Sequence, residues 1–196
     1  MPHRHERMFH HGKAHVLEDP ERQSFLPTAD VLARLALRRG MTVADVGAGT
    51  GYFALPIARA VAPGGRVLAV DLQQEMLDLL RKKLEPELPI TLVHGEATRT
   101  TLADASADLV FYANVWHEID DTGAALVEAS RILRPGGRVA IVDWSPGAED
   151  SPGPPPDHRV AMPAVRAALE ERGWTVESAE PVGTYHYEVI ARRMAR

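Results

Sequence analysis

The 196-residue sequence predicts an α/β fold in which helices cover both faces of a mostly parallel sheet. Short, almost continuously apolar runs such as 66–71 and 107–113 alternate with stretches of helical spacing such as 73–84. Pro-Gly-Gly turns at 63–65 and 135–137 each stand directly before an apolar run. Because strands buried on both faces lack apolar/polar alternation, this pattern indicates parallel strands joined by helices.

The helices are predicted from apolar spacing and from the residues that end it. The first, 28–38, is predicted to end at Gly40 as its C-cap. The second, 52–62, starts at a glycine-rich turn and tolerates Pro56 only within its first turn. The remaining predicted helices are 73–84, 122–133 and 160–172.

The strands are predicted from short apolar runs bounded by turn residues, at 42–46, 66–71, 89–94, 107–113 and 137–143. Two further strands, 174–178 and 185–191, are separated by a short turn-rich stretch and are predicted to pair antiparallel at the sheet edge. The segment 145–157 is rich in proline and acidic residues, so we predict an irregular loop there.

Composition excludes several classes of function. The net charge of -5, without a Lys/Arg stripe, argues against nucleic acid as the principal partner. The chain contains no cysteine, which excludes disulfides, zinc–thiolate sites and thiol nucleophiles. No apolar run approaches the roughly 20 residues that span a bilayer, and the polar start does not resemble a signal peptide. We therefore expect a cytoplasmic domain that acts on a small molecule, as a monomer or a homodimer.

Three glycines at alternate positions follow the first strand. Gly47, Gly49 and Gly51 lie between a strand that carries Asp45 and a helix, an arrangement that brings backbone N–H groups and the helix dipole to a ligand. The phosphate loop of nucleotide hydrolases requires a Gly-Lys-Ser/Thr ending that is missing here. The dinucleotide fingerprint requires glycine where Tyr52 stands, which leaves a nicotinamide-dependent oxidoreductase as a less favoured alternative.

The segment DVGAGTG at 45–51 is similar to the first motif of class I S-adenosylmethionine-dependent methyltransferases, an acidic residue followed by G-x-G-x-G. Further matching segments follow in the order of that family: LAVD at 68–71, HGEA at 94–97, FYANVWHE at 111–118 and LRPGG at 133–137. The resemblance extends over roughly residues 28 to 192. It is nearest to the small bacterial methyltransferases of the ubiquinone/menaquinone biosynthesis group.

This resemblance implies a Rossmann-like three-layer sandwich with a mostly parallel seven-stranded sheet whose last strand is antiparallel. It implies a methyltransferase domain over 28–196 and a lid segment over 1–27. The implied cofactor is S-adenosylmethionine, and the implied activity is transfer of its methyl group to a small-molecule acceptor. A non-catalytic S-adenosylmethionine-binding regulatory module is the alternative.

The resemblance also assigns cofactor-binding residues. Asp71 stands where the family binds both ribose hydroxyls, and Glu96 stands where an acidic side chain, usually aspartate, lies near the adenine amino group. Asn114 lies in the segment that the family places beside the methionine portion of the cofactor. The full expected set is Asp45, Gly47, Ala48, Gly49, Gly51, Tyr52, Asp71, Leu72, Glu96, Ala97, Asn114 and Val115.

Two histidines are candidates for catalysis, because removal of a proton from an acidic acceptor suits an imidazole at neutral pH. His117 follows the fourth strand by a few residues; the alternative is that it packs against Trp116 or bonds to Glu118. His158 and Arg159 follow the proline-rich loop, from which both would reach over the same edge and contact an anionic acceptor. The alternative for this second pair is an exposed position at a helix start.

Other polar and aromatic residues near strand ends have two interpretations each. Trp116 and Trp144 either wall the acceptor pocket or belong to the core. Asp143 either lines the acceptor site or is solvated. Three carboxylates after the fourth strand are interpreted as helix-start residues favoured by the dipole rather than as a catalytic pair: Glu118, Asp120 and Asp121.

The amino-terminal segment is rich in histidine, with His3, His5, His10, His11 and His15. Their spacing does not match a recognised ligand arrangement, so no metal site is predicted. As part of the implied lid, this segment is expected to lie near the substrate.

Overall fold

The computed structural model describes residues 9–148 and 150–193 and contains seven strands within them. In chain order these are β1 (Thr42–Val46), β2 (Arg66–Asp71), β3 (Ile90–His94), β4 (Ala107–Ala113), β5 (Leu133–Trp144), β6 (Trp174–Val182) and β7 (His186–Arg193). They form one sheet in the order β3-β2-β1-β4-β5-β7-β6. Six of these strands run in one direction, and only β7, which lies between β5 and β6, runs in the opposite direction. The predicted sheet is confirmed.

The helices of the described residues are α1 (Ala14–Leu17), α2 (Arg22–Phe25), α3 (Thr28–Arg34), α4 (Ala54–Val61), α5 (Gln74–Arg81), α6 (Thr122–Ile132) and α7 (Met162–Glu170). Short 3-10 turns occur at His11–Lys13, Trp116–Glu118 and Pro156–His158. Pro56 lies in the first turn of α4, as the sequence requires. None of these helices is long and apolar enough to cross a membrane.

The first predicted helix is shorter than its apolar pattern. α3 ends at Arg34, and Ala36 follows with a φ of 48°. The carbonyl of Leu35 accepts a hydrogen bond from Nη2 of Arg138 at 2.6 Å. Gly40 is not the cap of this helix; its N–H donates to the carbonyl of Val61 at 2.9 Å. A long-range bond from β5 thus takes the place of the predicted local cap.

The second Pro-Gly-Gly turn lies inside β5 rather than before it. Leu133 pairs with Ala107 and Arg138 pairs with Leu109, so residues 134–137 bulge opposite Asp108. The strand therefore begins earlier than predicted.

Apolar side chains fill both faces of the sheet. Val110 and Tyr112 pack with α6 and α7 on one face, and Leu109 and Phe111 pack with α3 and α4 on the other. Because successive strand residues point to opposite faces, a central strand must be apolar almost throughout. The predicted three-layer arrangement is confirmed.

The carboxyl ends of four parallel strands meet at one edge of the sheet. Val46 of β1 pairs with Val70 of β2 and Tyr112 of β4, and Ala113 of β4 pairs with Val142 of β5. The loops after these strands therefore lie side by side. Ligands of open α/β sheets bind at this edge.

Candidate functional site

The glycine turn after β1 has backbone angles that favour glycine. The φ angle is 80° at Gly47, 52° at Gly49 and 93° at Gly51, a region that side chains rarely adopt. A Cβ on Gly47 would lie 2.8 Å from the Cβ of Val115. The turn is therefore packed tightly against the loop that follows β4.

The carboxylate of Asp71, at the end of β2, braces this turn. Its Oδ2 accepts the N–H of Gly49 at 2.8 Å, and its Oδ1 accepts the N–H of Gln73 at 2.8 Å. Burial raises the pKa of Asp71, and these two N–H donors oppose that shift. Because a carboxylate oxygen has more than one lone pair, both oxygens keep acceptor capacity for a ligand.

A buried acid and a buried base lie beside the turn. Asp45 is 2% exposed, and its Oδ2 has no hydrogen-bond partner among the described residues. Burial, together with the charge of Asp71, raises the pKa of Asp45 to about 7, while Arg22 opposes the shift. Arg22 is 8% exposed, and burial lowers its pKa to about 10. Its guanidinium carbon lies 3.9 Å from the ring centroid of Tyr52.

The segment of residues 9–27 is tied to the loops of the site. Nε2 of Gln73 donates to the carbonyl of Phe9 at 2.7 Å, and Oε1 of Gln73 accepts the N–H of His11 at 3.0 Å. The hydroxyl of Tyr52 donates to the carbonyl of Leu26 at 2.6 Å. Sequence reasoning missed both Gln73 and Arg22, because nothing in their local sequence distinguishes them from surface residues.

A cavity of about 970 Å³ connects these groups. It is lined by all of the expected cofactor-binding residues except Gly51 and by both candidate histidines, His117 and His158. Gly51 instead faces the core, where an added Cβ would lie 2.4 Å from Cδ1 of Leu80. A glycine is therefore required at position 51 by core packing rather than by contact with the cavity.

Asn114 lies at the base of the cavity in a conformation that is uncommon for a side chain. Its φ is 56°, its N–H donates to the carbonyl of Val142 at 2.9 Å, and its Oδ1 is buried without a partner among the described residues. Asparagine tolerates this left-handed conformation better than most residues, and such conformations cluster at functional sites.

His117 contacts Asp143, an arrangement that the sequence interpretation did not include. Nδ1 of His117 lies 2.8 Å from Oδ1 of Asp143, whereas its Nε2 lies 3.8 Å from Oε1 of Glu118. Neither alternative for Asp143 holds, since its side chain is 0% exposed and is bonded to His117. A sequence signal existed: both residues follow or end neighbouring parallel strands.

Glu118 is not a helix-start residue, which corrects the interpretation from sequence. It belongs to the 3-10 turn and lines the cavity, whereas the side chain of Asp121 caps α6 by accepting the N–H of Ala124 at 2.8 Å. Burial raises the pKa of Glu118 to about 7, against the opposing effects of His117 and the N–H of Phe9.

The far end of the cavity is aromatic and apolar. Trp144 lines it, while Trp116 packs in the core against Tyr112 with ring centroids 5.3 Å apart. The guanidinium of Arg159 donates to three carbonyls of the 145–157 loop: Pro154, Ser145 and Ala148. Arg159 thus holds this loop in place and is not directed to an anionic acceptor.

Of the five amino-terminal histidines, the structure describes His10, His11 and His15. His3 and His5 lie outside the described residues. His10 lines the cavity, and its Nδ1 accepts the N–H of Gly12 at 3.0 Å. Within residues 9–148 and 150–193, no group of three or more histidine or acidic side chains is placed to hold a metal ion.

Comparison with known proteins finds matches to the sequence and to the fold of this chain. The family model described as a methyltransferase domain matches residues 44–141. The solved structure of an S-adenosylmethionine-dependent methyltransferase from Aquifex aeolicus has a TM-score of 0.90 and 31% identity, covering 95% of this chain and 100% of that chain.

Two related proteins match this chain over only part of their own length. Demethylmenaquinone methyltransferase of Staphylococcus aureus is 32% identical over 115 residues, which are 59% of this chain and 48% of the relative. An uncharacterized 37.1 kDa protein in transposon TN4556 of Streptomyces fradiae is 35% identical over 124 residues, which are 62% of this chain and 36% of the relative. The chain matches less than half the length of either.

Proposed function

The chain belongs to the S-adenosylmethionine-dependent methyltransferases, and on that premise we propose that it methylates a small, flat acceptor with an ionisable hydroxyl. The observation that carries this proposal is the cavity of about 970 Å³, which runs from the glycine turn to Trp144 and His158. Small-molecule sites typically occupy about 300–1,000 Å³. A volume at the upper end of that range has room for cofactor and acceptor together.

The residues at one end of the cavity fit S-adenosylmethionine. The carboxylate of Asp71 suits the vicinal ribose hydroxyls, and Glu96 suits the adenine amino group. Asp45 and Arg22 carry opposite charges, as do the amino and carboxyl groups of the methionine portion. Oδ1 of Asn114, which has no partner in the described part of the chain, offers a further acceptor near that portion. When bound, the sulfonium supplies an electrophilic methyl group.

The other end of the cavity suits the acceptor. Phe25 and Trp144 lie there with ring centroids 6.0 Å apart at an interplanar angle of 37°, and Pro152, Pro154 and Pro155 line the same region. Such walls favour a flat, apolar molecule. The Staphylococcus aureus relative is named for a quinone acceptor, which has this shape.

The proposal includes a lid role for the amino-terminal segment, which the resemblance placed at 1–27. Phe9, Arg22 and Phe25 line the cavity, and the bonds of Gln73 and Tyr52 hold their segment over the sheet edge. A cover of this kind excludes water from the reacting groups.

Calorimetric titration tests the cofactor assignment. We expect S-adenosylmethionine and S-adenosylhomocysteine to bind at micromolar concentrations and NAD to give no heat of binding. Incubation with S-adenosylmethionine and a panel of phenols, quinols and amines should release S-adenosylhomocysteine with hydroxyl compounds. Binding of NAD alone would overturn the proposal. Binding of S-adenosylmethionine with no release from any acceptor would favour the regulatory module.

Binding of S-adenosylmethionine is also expected to release a proton below pH 7, because the pKa of Asp45 is about 7. A cationic ligand favours the ionised carboxylate, so protonated Asp45 must lose its proton and affinity should rise as pH rises towards 7. The uncharged sulfur of S-adenosylhomocysteine should give a smaller release.

Calorimetry at about pH 6 in two buffers of different ionisation enthalpy measures this proton. The heat of binding should differ between the buffers for the unmodified protein, and much less for Asp45→Asn. Equal heats for the unmodified protein would show that Asp45 does not change protonation on binding.

A further inference from the structure

Asp143 accepts three N–H groups although it is completely buried. Its Oδ2 accepts the backbone N–H of His117 at 2.8 Å. Its Oδ1 lies 2.8 Å from Nδ1 of His117 and 2.8 Å from the backbone N of Trp144. Since a carboxylate only accepts hydrogen bonds, Nδ1 of His117 must carry the hydrogen in this contact.

The second ring nitrogen of His117 is left for a ligand. No hydrogen bond to Nε2 is present within the described part of the chain, and Oε1 of Glu118 is 3.8 Å away, which is too far for one. His117 and Glu118 both line the cavity. In the neutral ring with hydrogen on Nδ1, Nε2 carries a lone pair that accepts a proton.

We propose that Asp143 is a positioning residue for methyl transfer: it holds His117 as the tautomer protonated at Nδ1, so that Nε2 removes the proton of the acceptor hydroxyl. Its chemistry rests on the proposed function, whereas the tautomer is a property of the protein alone. Asp143 itself does not touch the substrate, because its side chain is 0% exposed.

Protons and electrons balance in the proposed transfer. The proton moves from the acceptor oxygen to Nε2, and the electron pair left behind forms the new bond to the methyl carbon. The pair of the broken carbon–sulfur bond stays on sulfur, which becomes neutral as the imidazole becomes positive. Asp143, 2.8 Å from Nδ1, stabilises that positive ring.

The pKa of His117 depends on charged and titratable residues from several parts of the fold. Burial lowers the pKa of His117, but the hydrogen bond and charge of Asp143 and the charge of Glu118 outweigh burial and raise it, against the opposing charge of Arg159. His186 of β7 also interacts with this ring. Because only the neutral ring accepts a proton, turnover should rise as pH rises through a midpoint above the ordinary histidine value.

Nitrogen NMR of the imidazole rings in the full chain tests the tautomer without any acceptor. The resonance of His117, assigned by its loss in His117→Gln, should show hydrogen on Nδ1 and none on Nε2 in the neutral form. In Asp143→Asn, one of the two carboxylate oxygens becomes an NH2 group. When the remaining oxygen keeps the backbone N–H of His117, the NH2 group faces Nδ1 and donates to the ring. We expect the tautomer to invert and the pKa of His117 to fall.

Turnover with an acceptor found in the screen gives the second measurement. Asp143→Asn should lower kcat by roughly 100-fold or more, as expected for loss of general-base catalysis, and should shift the pH midpoint downward. Its affinity for S-adenosylmethionine should change less than threefold. Asp157→Asn alters an exposed carboxylate that does not line the cavity, and should change neither tautomer nor kcat.

The outcomes separate this inference from the proposed function. Hydrogen on Nε2 in the unmodified protein, or an unchanged tautomer and pH profile in Asp143→Asn, would overturn the positioning role even if methyl transfer occurs. If Asp143→Asn does not fold, the tautomer of the unmodified protein and a loss of kcat in His117→Gln decide the matter. Absence of transfer with the expected tautomer would count against the proposed function alone.

Discussion

Replacing Asp71 by alanine is expected to weaken binding of S-adenosylmethionine by roughly 100- to 1,000-fold. Hydrogen bonds to a charged group contribute about 1.5–3 kcal/mol each. With each of the two proposed ribose contacts near the lower end, at about 1.5–2 kcal/mol, their loss is expected to cost about 3–4 kcal/mol. The variant also removes the acceptor of the Gly49 N–H, whose nitrogen lies 2.8 Å from Oδ2, and so loosens the glycine turn that lines the cavity.

The fold of Asp71→Ala should persist. Burial disfavours the charged form of this carboxyl, as its raised pKa indicates, and the alanine variant no longer has to bury that charge. Calorimetry gives the affinity, and far-ultraviolet circular dichroism gives the helical content. Asp78→Ala is the matched control, since it removes a half-exposed carboxylate from α5 outside the cavity. An Asp71→Ala affinity within threefold of the unmodified protein would contradict the ribose assignment.

Gly47→Ala should be the most damaging small substitution in the turn. The φ of 80° alone costs a side chain about 1–2 kcal/mol. The new Cβ would also lie 2.8 Å from the Cβ and Cγ2 of Val115, and a Cβ is fixed to its backbone and cannot rotate away. Overpacking of this kind adds about 1–3 kcal/mol. The loop at Asn114 must therefore shift, and the cavity wall that we propose for the methionine portion of the cofactor shifts with it.

Gly136→Ala is the matched control, because it introduces the backbone strain of a positive φ without the steric collision with Val115. Gly136 has a similar φ of 77°, yet nothing lies within 4 Å of its Cβ position. At about 2–4 °C per kcal/mol, Gly136→Ala should lower Tm by roughly 2–8 °C, and Gly47→Ala by roughly 4–20 °C. Only Gly47→Ala should also lower affinity for S-adenosylmethionine, by about tenfold or more. Equal effects of the two variants on Tm and affinity would rule out the collision.

The architecture was predictable because its signals are local. The near-continuous apolar strands and the glycine turn each lie within a short stretch. Each predicted strand is present, three of them with the predicted bounds and four with shifted bounds. The end of α3 was not predictable, because it is set by Arg138, a residue 103 positions further along the chain than Leu35. A contact between residues so far apart in the chain cannot be inferred from the spacing of apolar residues near Leu35.

The placement of residues along the cavity was predictable where a motif carried it, whereas their roles stay predictions. The expected cofactor residues line the cavity apart from Gly51, whose glycine is required by Leu80 in the core. Arg22 was missed because its burial depends on how residues 9–27 fold over the sheet edge. Asp143 was noticed, but its bond to His117 depends on the register between β4 and β5, in which Ala113 pairs with Val142.

The strand order also bears on how the chain folds during synthesis. Within the described residues β6 pairs only with β7, and β7 lies between β5 and β6 although it follows both in the chain. Asp143 and Trp144 of β5 pair with Tyr187 and His186 of β7. A nascent chain emerges amino terminus first. The end of the cavity at Trp144 therefore cannot gain its last supporting strand until the ribosome has released residues near 193, long after the glycine turn has emerged.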